Sequence, residues 1–120
     1  MGETVLMVED EAVVRMVAAD VLRDLGYRVL EASDGLAALE VLRSDERVDL
    51  LLTDMGLTGM DGRRLAEAAR RLRPGLRVLF VTGGASDPVH EGPLPPGMQV
   101  AGKPIAPDAL AAKVRAMLAA

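Results

Sequence analysis

Five short apolar runs punctuate the chain: Thr4 to Val8 (TVLMV), Tyr27 to Ala32 (YRVLEA), Val48 to Thr53 (VDLLLT), Leu76 to Thr82 (LRVLFVT) and a weaker Met98 to Ala101 (MQVA). Their length and their content of β-branched and leucine residues predict strands. The third and fourth are apolar on both faces, as inner strands of a covered parallel sheet are. Between the runs the pattern changes to helical spacing. Helices are predicted over Glu11 to Leu25, closed by Gly26, over Leu36 to Arg43 behind the cap Asp34, over Arg63 to Leu72 before Pro74, and over Asp108 to Leu118. In the first of these, Val14, Val17, Ala18, Val21 and Leu25 recur at three- and four-residue spacing, which predicts the face that packs on the sheet. Strand and helix alternating through short connections is the pattern of a doubly wound α/β fold.

One segment breaks this rhythm. Gly83 to Gly97 (GGASDPVHEGPLPPG) stands where a further helix is expected, yet Pro88, Pro93, Pro95 and Pro96 with Gly92 oppose a long regular helix. A loop with at most a turn or two of helix is expected there, either a surface connection or a specialised signalling loop. His90 sits in it without a metal-ligand companion and is read as a loop histidine.

Composition narrows the function classes. The 120 residues, half of them hydrophobic, amount to one domain over 1–120 with a real core. No apolar run approaches the roughly 20 residues that cross a bilayer, so no membrane partner and a soluble, cytoplasmic protein are expected. The absence of cysteine removes disulfides and thiolate metal sites. A formal net charge of −4 argues against direct nucleic-acid binding, which draws on clustered lysine and arginine. Tyr27 and Phe80 are the whole aromatic complement, too few for a base-stacking platform. The arginines Arg63, Arg64, Arg70, Arg71 and Arg73 give the third helix a basic side, read as a solvated face.

The candidate chemistry lies at strand ends. In an open parallel sheet the functional crevice lies beyond the carboxyl ends of the strands, and the residues there are Glu9 and Asp10, Asp54, Thr82 and Lys103. Three converging carboxylates repel one another, and a hard divalent cation with oxygen ligands resolves that repulsion; Mg²⁺ suits it and retains waters for a phosphate. A hydroxyl and an ammonium at the same point supply what phosphoryl oxygens need. Asp54 then reads as a carboxylate nucleophile that accepts a phosphoryl group.

Taken together, VLMVEDE, DLLLTDMGLTGMDG, LFVTGG and GKP, in this order, resemble the receiver domain of two-component response regulators over essentially the full length. The layout from Thr82 to Pro104 is similar to receivers found with hybrid sensor histidine kinases. The resemblance implies a flavodoxin-like, five-stranded parallel sheet of order 2-1-3-4-5 with helices on both faces and a degraded fourth helix. It implies Asp10 as direct Mg²⁺ ligand, Glu9 as second acid, Asp54 as phosphoacceptor and metal ligand, and Gly56 as the donor of a backbone carbonyl to the metal. It implies Thr82 and Lys103 as the groups that bind phosphoryl oxygens, and a cis Lys103-Pro104 bond. The implied phosphodonor is a histidine kinase or histidine phosphotransfer protein. The resemblance implies no enzymatic activity beyond self-phosphorylation and autodephosphorylation.

The chain also departs from the family. Leu57-Thr58 stands where Met-Pro is common, Val100 replaces a switch aromatic, and Ile105 replaces a frequent phenylalanine. In receivers the positions now held by Gly56 and Gly84 help set the lifetime of the acyl phosphate, and glycine at both leaves it open. Exposed Val13 and Met16 beside the acidic site offer a docking pair for a helical phosphodonor, or are scattered surface apolars. Homodimerisation stays open. An alternative reading is a receiver-like protein-interaction module independent of phosphorylation. No GxxxxGK[ST] is present for a P-loop hydrolase. A phosphatase with an aspartate nucleophile would want an acid where Gly56 stands, and Glu9, Asp10 and Glu11 would repel the phosphate of a flavodoxin cofactor. With the switch aromatic missing, the signal is expected to pass through ordering of the Gly83 to Gly97 loop as Thr82 engages the phosphoryl group. Amide hydrogen exchange across that loop is expected to slow on phosphorylation; unchanged protection would refute it.

Overall fold

A computed structural model of the chain describes residues 2–57, 59–83, 94–102 and 105–119. Strands β1 (Thr4–Val8), β2 (Arg28–Ala32), β3 (Leu50–Asp54), β4 (Arg77–Thr82) and β5 (Met98–Gly102) alternate with helices α1 (Ala12–Asp24), α2 (Gly35–Arg43), α3 (Gly62–Leu72) and α4 (Pro107–Ala119). The strands form one sheet of order β2-β1-β3-β4-β5, parallel throughout. This is the expected flavodoxin-like topology. The segment read as a degraded fourth helix lies largely outside the described residues, as do Thr58, Gly84, His90, Lys103 and Pro104.

Alternation along each strand divides the core into two layers. Leu6, Val8, Leu51, Val78 and Phe80 face α2 and α3, where Leu39, Leu42, Leu65 and Ala69 meet them. Val5, Met7, Leu50, Leu52 and Leu79 face the other way, against Ala19 and Leu22 of α1 and Leu110, Val114 and Met117 of α4. β1 is buried along its whole length, and β3 is buried up to its last residue, Asp54. Their runs are therefore apolar on both faces, as inner strands require.

The helix ends follow from local chemistry. Asp34 and Asp61 adopt extended backbone as N-caps, their carboxylates accepting from the N–H of Ala37 and of Arg64, each at 2.8 Å. Gly26 closes α1 at φ +98°, a left-handed conformation that suits glycine, with its N–H on the Arg23 carbonyl at 2.9 Å. Among the described residues no helix is long and apolar enough to cross a membrane.

Two expectations are corrected. α1 packs through only part of the expected Val14, Val17, Ala18, Val21 and Leu25 face: Ala18 meets the core, but Val14, Val17 and Leu25 are 42%, 58% and 43% exposed. Its buried residues are Ala19 and Leu22, and Arg15 lies on the same stripe one turn earlier. This rotation leaves a cleft of about 460 Å³ between α1 and α4, lined among others by Val14, Val17, Val21, Leu52, Ile105 and Leu110. The aliphatic side chains on its two walls stop short of filling it.

The basic side of α3 is not simply solvated. Arg64 and Arg71 are exposed, but Arg70 donates to the carbonyls of Leu76 at 2.9 Å and Pro96 at 2.7 Å. Arg73 donates to those of Leu42, Ser44 and Glu46 at 3.0, 2.9 and 2.8 Å. The planar guanidinium suits this, because its fixed fork of donors reaches several carbonyls at once. Arg73 thereby ties the end of α2 and the chain leading to β3 onto α3. Arg73→Met is expected to lower unfolding free energy by about 2 kcal/mol, the scale of charge-assisted hydrogen bonds lost, measured by urea denaturation with an unchanged m-value.

Candidate functional site

Parallel pairing brings the acids together. Val8 of β1 is in register with Thr53 of β3, so the next residues, Glu9 and Asp54, leave the sheet side by side. Asp10 follows on the same loop. Glu9, Asp10 and Asp54 each offer an oxygen, and these atoms lie within 4.8 Å of one another. Ionised pairs at such separations repel by about 3 kcal/mol at the effective dielectric of a protein surface. Oxygen donors at this spacing could hold a metal ion, and thiolate or imidazole ligands are not part of the cluster.

The three carboxylates differ in surroundings. Glu9 is only 6% exposed, its Oε2 accepts the Glu11 N–H at 3.0 Å, and its own N–H continues the β1 to β2 ladder onto the Ala32 carbonyl at 3.1 Å. Asp10 is exposed and Asp54 half-buried. Asp54 Oδ1 accepts the N–H of Gly56 at 3.2 Å, which leaves Gly56 exposed at the mouth of the site. A short, side-chain-free residue there keeps the approach to Asp54 open.

Thr82 closes β4 and is half-buried. The residue before it, Val81, pairs with Asp54, and Thr82 itself pairs with Gly102 of β5. The sheet thus carries the hydroxyl residue to the same edge as the acids. Lys103 follows Gly102 in sequence and lies outside the described residues, so its predicted role and that of the Lys103-Pro104 bond rest on the sequence. Val13 is 73% and Met16 56% exposed, as expected of a pair off the buried stripe.

Sequence reasoning missed two supports of the site. A Cβ on Gly62 would stand 2.6 Å from the Asp54 carbonyl oxygen and 3.0 Å from the Met55 Cα, closer than real contacts allow. Only glycine lets the first turn of α3 lie against the end of β3, where the Gly62 N–H bonds the Met55 carbonyl at 2.9 Å. The available signal was a glycine at a first helical position, where its low helix propensity needs a reason. The other is Arg15, whose NH1 donates to the Glu9 carbonyl at 2.8 Å. A single arginine on a helix gave no such signal.

The family model for the response regulator receiver domain matches residues 5–115. Among curated proteins, the chain is 40% identical over 85 residues to the sensor kinase CckA of Brucella abortus, covering 70% of this chain and 9% of that protein. It is 34% identical over 92 residues to the sporulation initiation phosphotransferase F of Bacillus subtilis, covering 76% of this chain and 73% of that one. It spans about a tenth of the sensor kinases it matches. Among solved structures, the receiver domain from the hybrid histidine kinase CckA superposes with a TM-score of 0.82 at 37% identity, covering 96% of this chain and 98% of the other.

Gly62→Ala is expected to cost about 1–3 kcal/mol, as overpacking against backbone does, and to displace Asp54. Thermal denaturation reads the first effect, and amide chemical shifts confined to Asp54, Met55 and the start of α3 read the second.

Proposed function

Because this chain belongs to the response regulator receiver family, we propose that it accepts a phosphoryl group on Asp54 from a phosphorylated histidine and, in that state, changes its binding to a partner. Receiver domains are signalling domains that interact with histidine kinases or phosphotransfer proteins. The observation that carries the reading is Asp54 emerging half-buried from a buried strand beside Glu9 and Asp10, with their oxygens within 4.8 Å.

In the transfer, an Asp54 carboxylate oxygen forms a bond to phosphorus as the bond from phosphorus to the donor imidazole nitrogen breaks. The electron pair of the broken bond stays on that nitrogen, which takes a proton from solvent, and the phosphoryl group remains on Asp54 as an acyl phosphate. The carboxylates of Glu9, Asp10 and Asp54 and the backbone carbonyl of Gly56 would hold Mg²⁺. When bound, the cation supplies positive charge that offsets the acids and the incoming phosphoryl oxygens. The Thr82 hydroxyl and the Lys103 ammonium supply donors to those oxygens. Burial of the strand leading to Asp54 fixes the nucleophile, so that attack follows from position more than from covalent assistance. Gly56 beside Asp54 is exposed and carries no side chain to obstruct a donor.

A second reading is favoured by Val100, a β-branched residue half-buried against the α2 and α3 core. It offers no aromatic ring to swing between two positions, which suits a receiver-like interaction module that works without phosphorylation.

Incubation with Mg²⁺ and a small acyl-phosphate donor is expected to add one phosphoryl group to the parent by intact mass, none to Asp54→Ala, and none after chelation of the metal. Failure of the parent with purified histidine-kinase donors as well, while Mg²⁺ binding is shown separately, would favour the second reading.

A further inference from the structure

The loop Glu9 to Glu11 bears three consecutive acids, and it turns from the end of β1 into α1 with no side-chain cap from Glu11. A loop so charged gains from being held by its backbone, since repulsion among its side chains favours opening. Its hold comes from α1 itself. Arg15 lies one turn into the helix with its side chain 18% exposed. Its NH1 donates to the Glu9 carbonyl at 2.8 Å while its Nε donates to Glu31 Oε1 on β2 at 3.2 Å. The other Glu31 oxygen, Oε2, accepts from Arg23 NH2 at 3.1 Å, and that nitrogen also reaches the Val29 carbonyl at 2.9 Å. Glu31 is therefore bracketed by two arginines of α1, and the guanidinium of Arg15 is fixed from one side so that it can fix the loop on the other.

We propose that Arg15 is a positioning residue of the acidic site: it clamps the Glu9 carbonyl, with Glu31 as its anchor, and so sets the backbone from which Glu9 and Asp10 project toward Asp54. All three polar handles of Glu9 are then engaged: its N–H by the Ala32 carbonyl, its carboxylate by the Glu11 N–H, its carbonyl by Arg15. Arginine is required because one planar group must serve two acceptors in different directions; a lysine ammonium on a flexible stem is a poorer bridge. Groups that orient metal ligands from behind contribute strongly to metal affinity because they remove conformations in which the ligands point elsewhere. The clamp also explains why a charged residue occupies the inward stripe of α1 ahead of Ala19 and Leu22.

The inference rests on the reading of Glu9, Asp10 and Asp54 as an Mg²⁺ site, and the test separates the two. Backbone amide NMR of the full chain gives an Mg²⁺ titration and, without metal, hydrogen-exchange rates at Glu9, Asp10 and Glu11. Arg15→Met keeps the apolar stem and is expected to weaken Mg²⁺ binding about tenfold, the lower end for such orienting groups, and to speed metal-free exchange at these three amides. Arg15→Lys is expected to recover part of both, and Glu31→Gln to weaken both less than Arg15→Met. Leu22→Ala, which loosens α1 from the sheet without touching the clamp, is expected to lower melting temperature while leaving Mg²⁺ affinity unchanged. Unchanged exchange in Arg15→Met, or an equal loss of affinity in Leu22→Ala, overturns the proposal. Should the parent bind no Mg²⁺, the metal reading fails and the metal-free exchange alone decides the clamp. Should Arg15→Met not fold, Glu31→Gln decides it by the same two readouts.

Discussion

Glu9 and Asp54 stand side by side because Val8 pairs with Thr53 in a parallel ladder whose two strands are buried almost to their ends. Neither carboxylate can retreat without pulling apolar side chains into water. Val5, Leu6, Leu50 and Leu51 are all fully buried, each worth about 1.5–3 kcal/mol when removed from water. Two such strands outweigh the repulsion of a few carboxylates. The core thus forces a juxtaposition that the charges alone would undo.

The rest of the molecule serves that edge in different ways. α3 begins at a glycine so that it can press on the Asp54 carbonyl, and α1 reaches back through Arg15 to the Glu9 carbonyl. Away from the edge, Arg70 and Arg73 perform the same task for loops at the opposite ends of the strands, satisfying carbonyls of Leu76, Pro96, Leu42, Ser44 and Glu46. Much of the connecting backbone is therefore held by arginine side chains. A chain with few aromatics and small helix residues has less bulk with which to pin its loops, and charge-assisted hydrogen bonds supply part of that fixity.

The same shortage of bulk shapes the face between α1 and α4. Val14 and Val17 remain exposed, and the cleft they line opens next to Glu9 and Asp54. An apolar recess thus adjoins the acidic crevice.

Strand and helix positions and the acidic set were legible in the sequence because each rests on local chemistry, whereas the order of strands in the sheet came only from the family resemblance. Alternation between apolar runs and helical spacing gives β1 to β5, Asp34 announces its helix by cap chemistry, and the acids and Thr82 fall where apolar runs stop. The rotation of α1 was not legible. Val14, Val17, Val21 and Leu25 make as good a stripe as Arg15, Ala19 and Leu22 on hydrophobicity alone, indeed a better one. On the observed stripe Arg15 meets Glu31 and the Glu9 carbonyl, partners that the chain brings together only once β2 has paired with β1. The arginines of α3 were misjudged for the same reason: a sequence gives the charge of a side chain, but the carbonyls that it satisfies belong to loops placed by the tertiary fold.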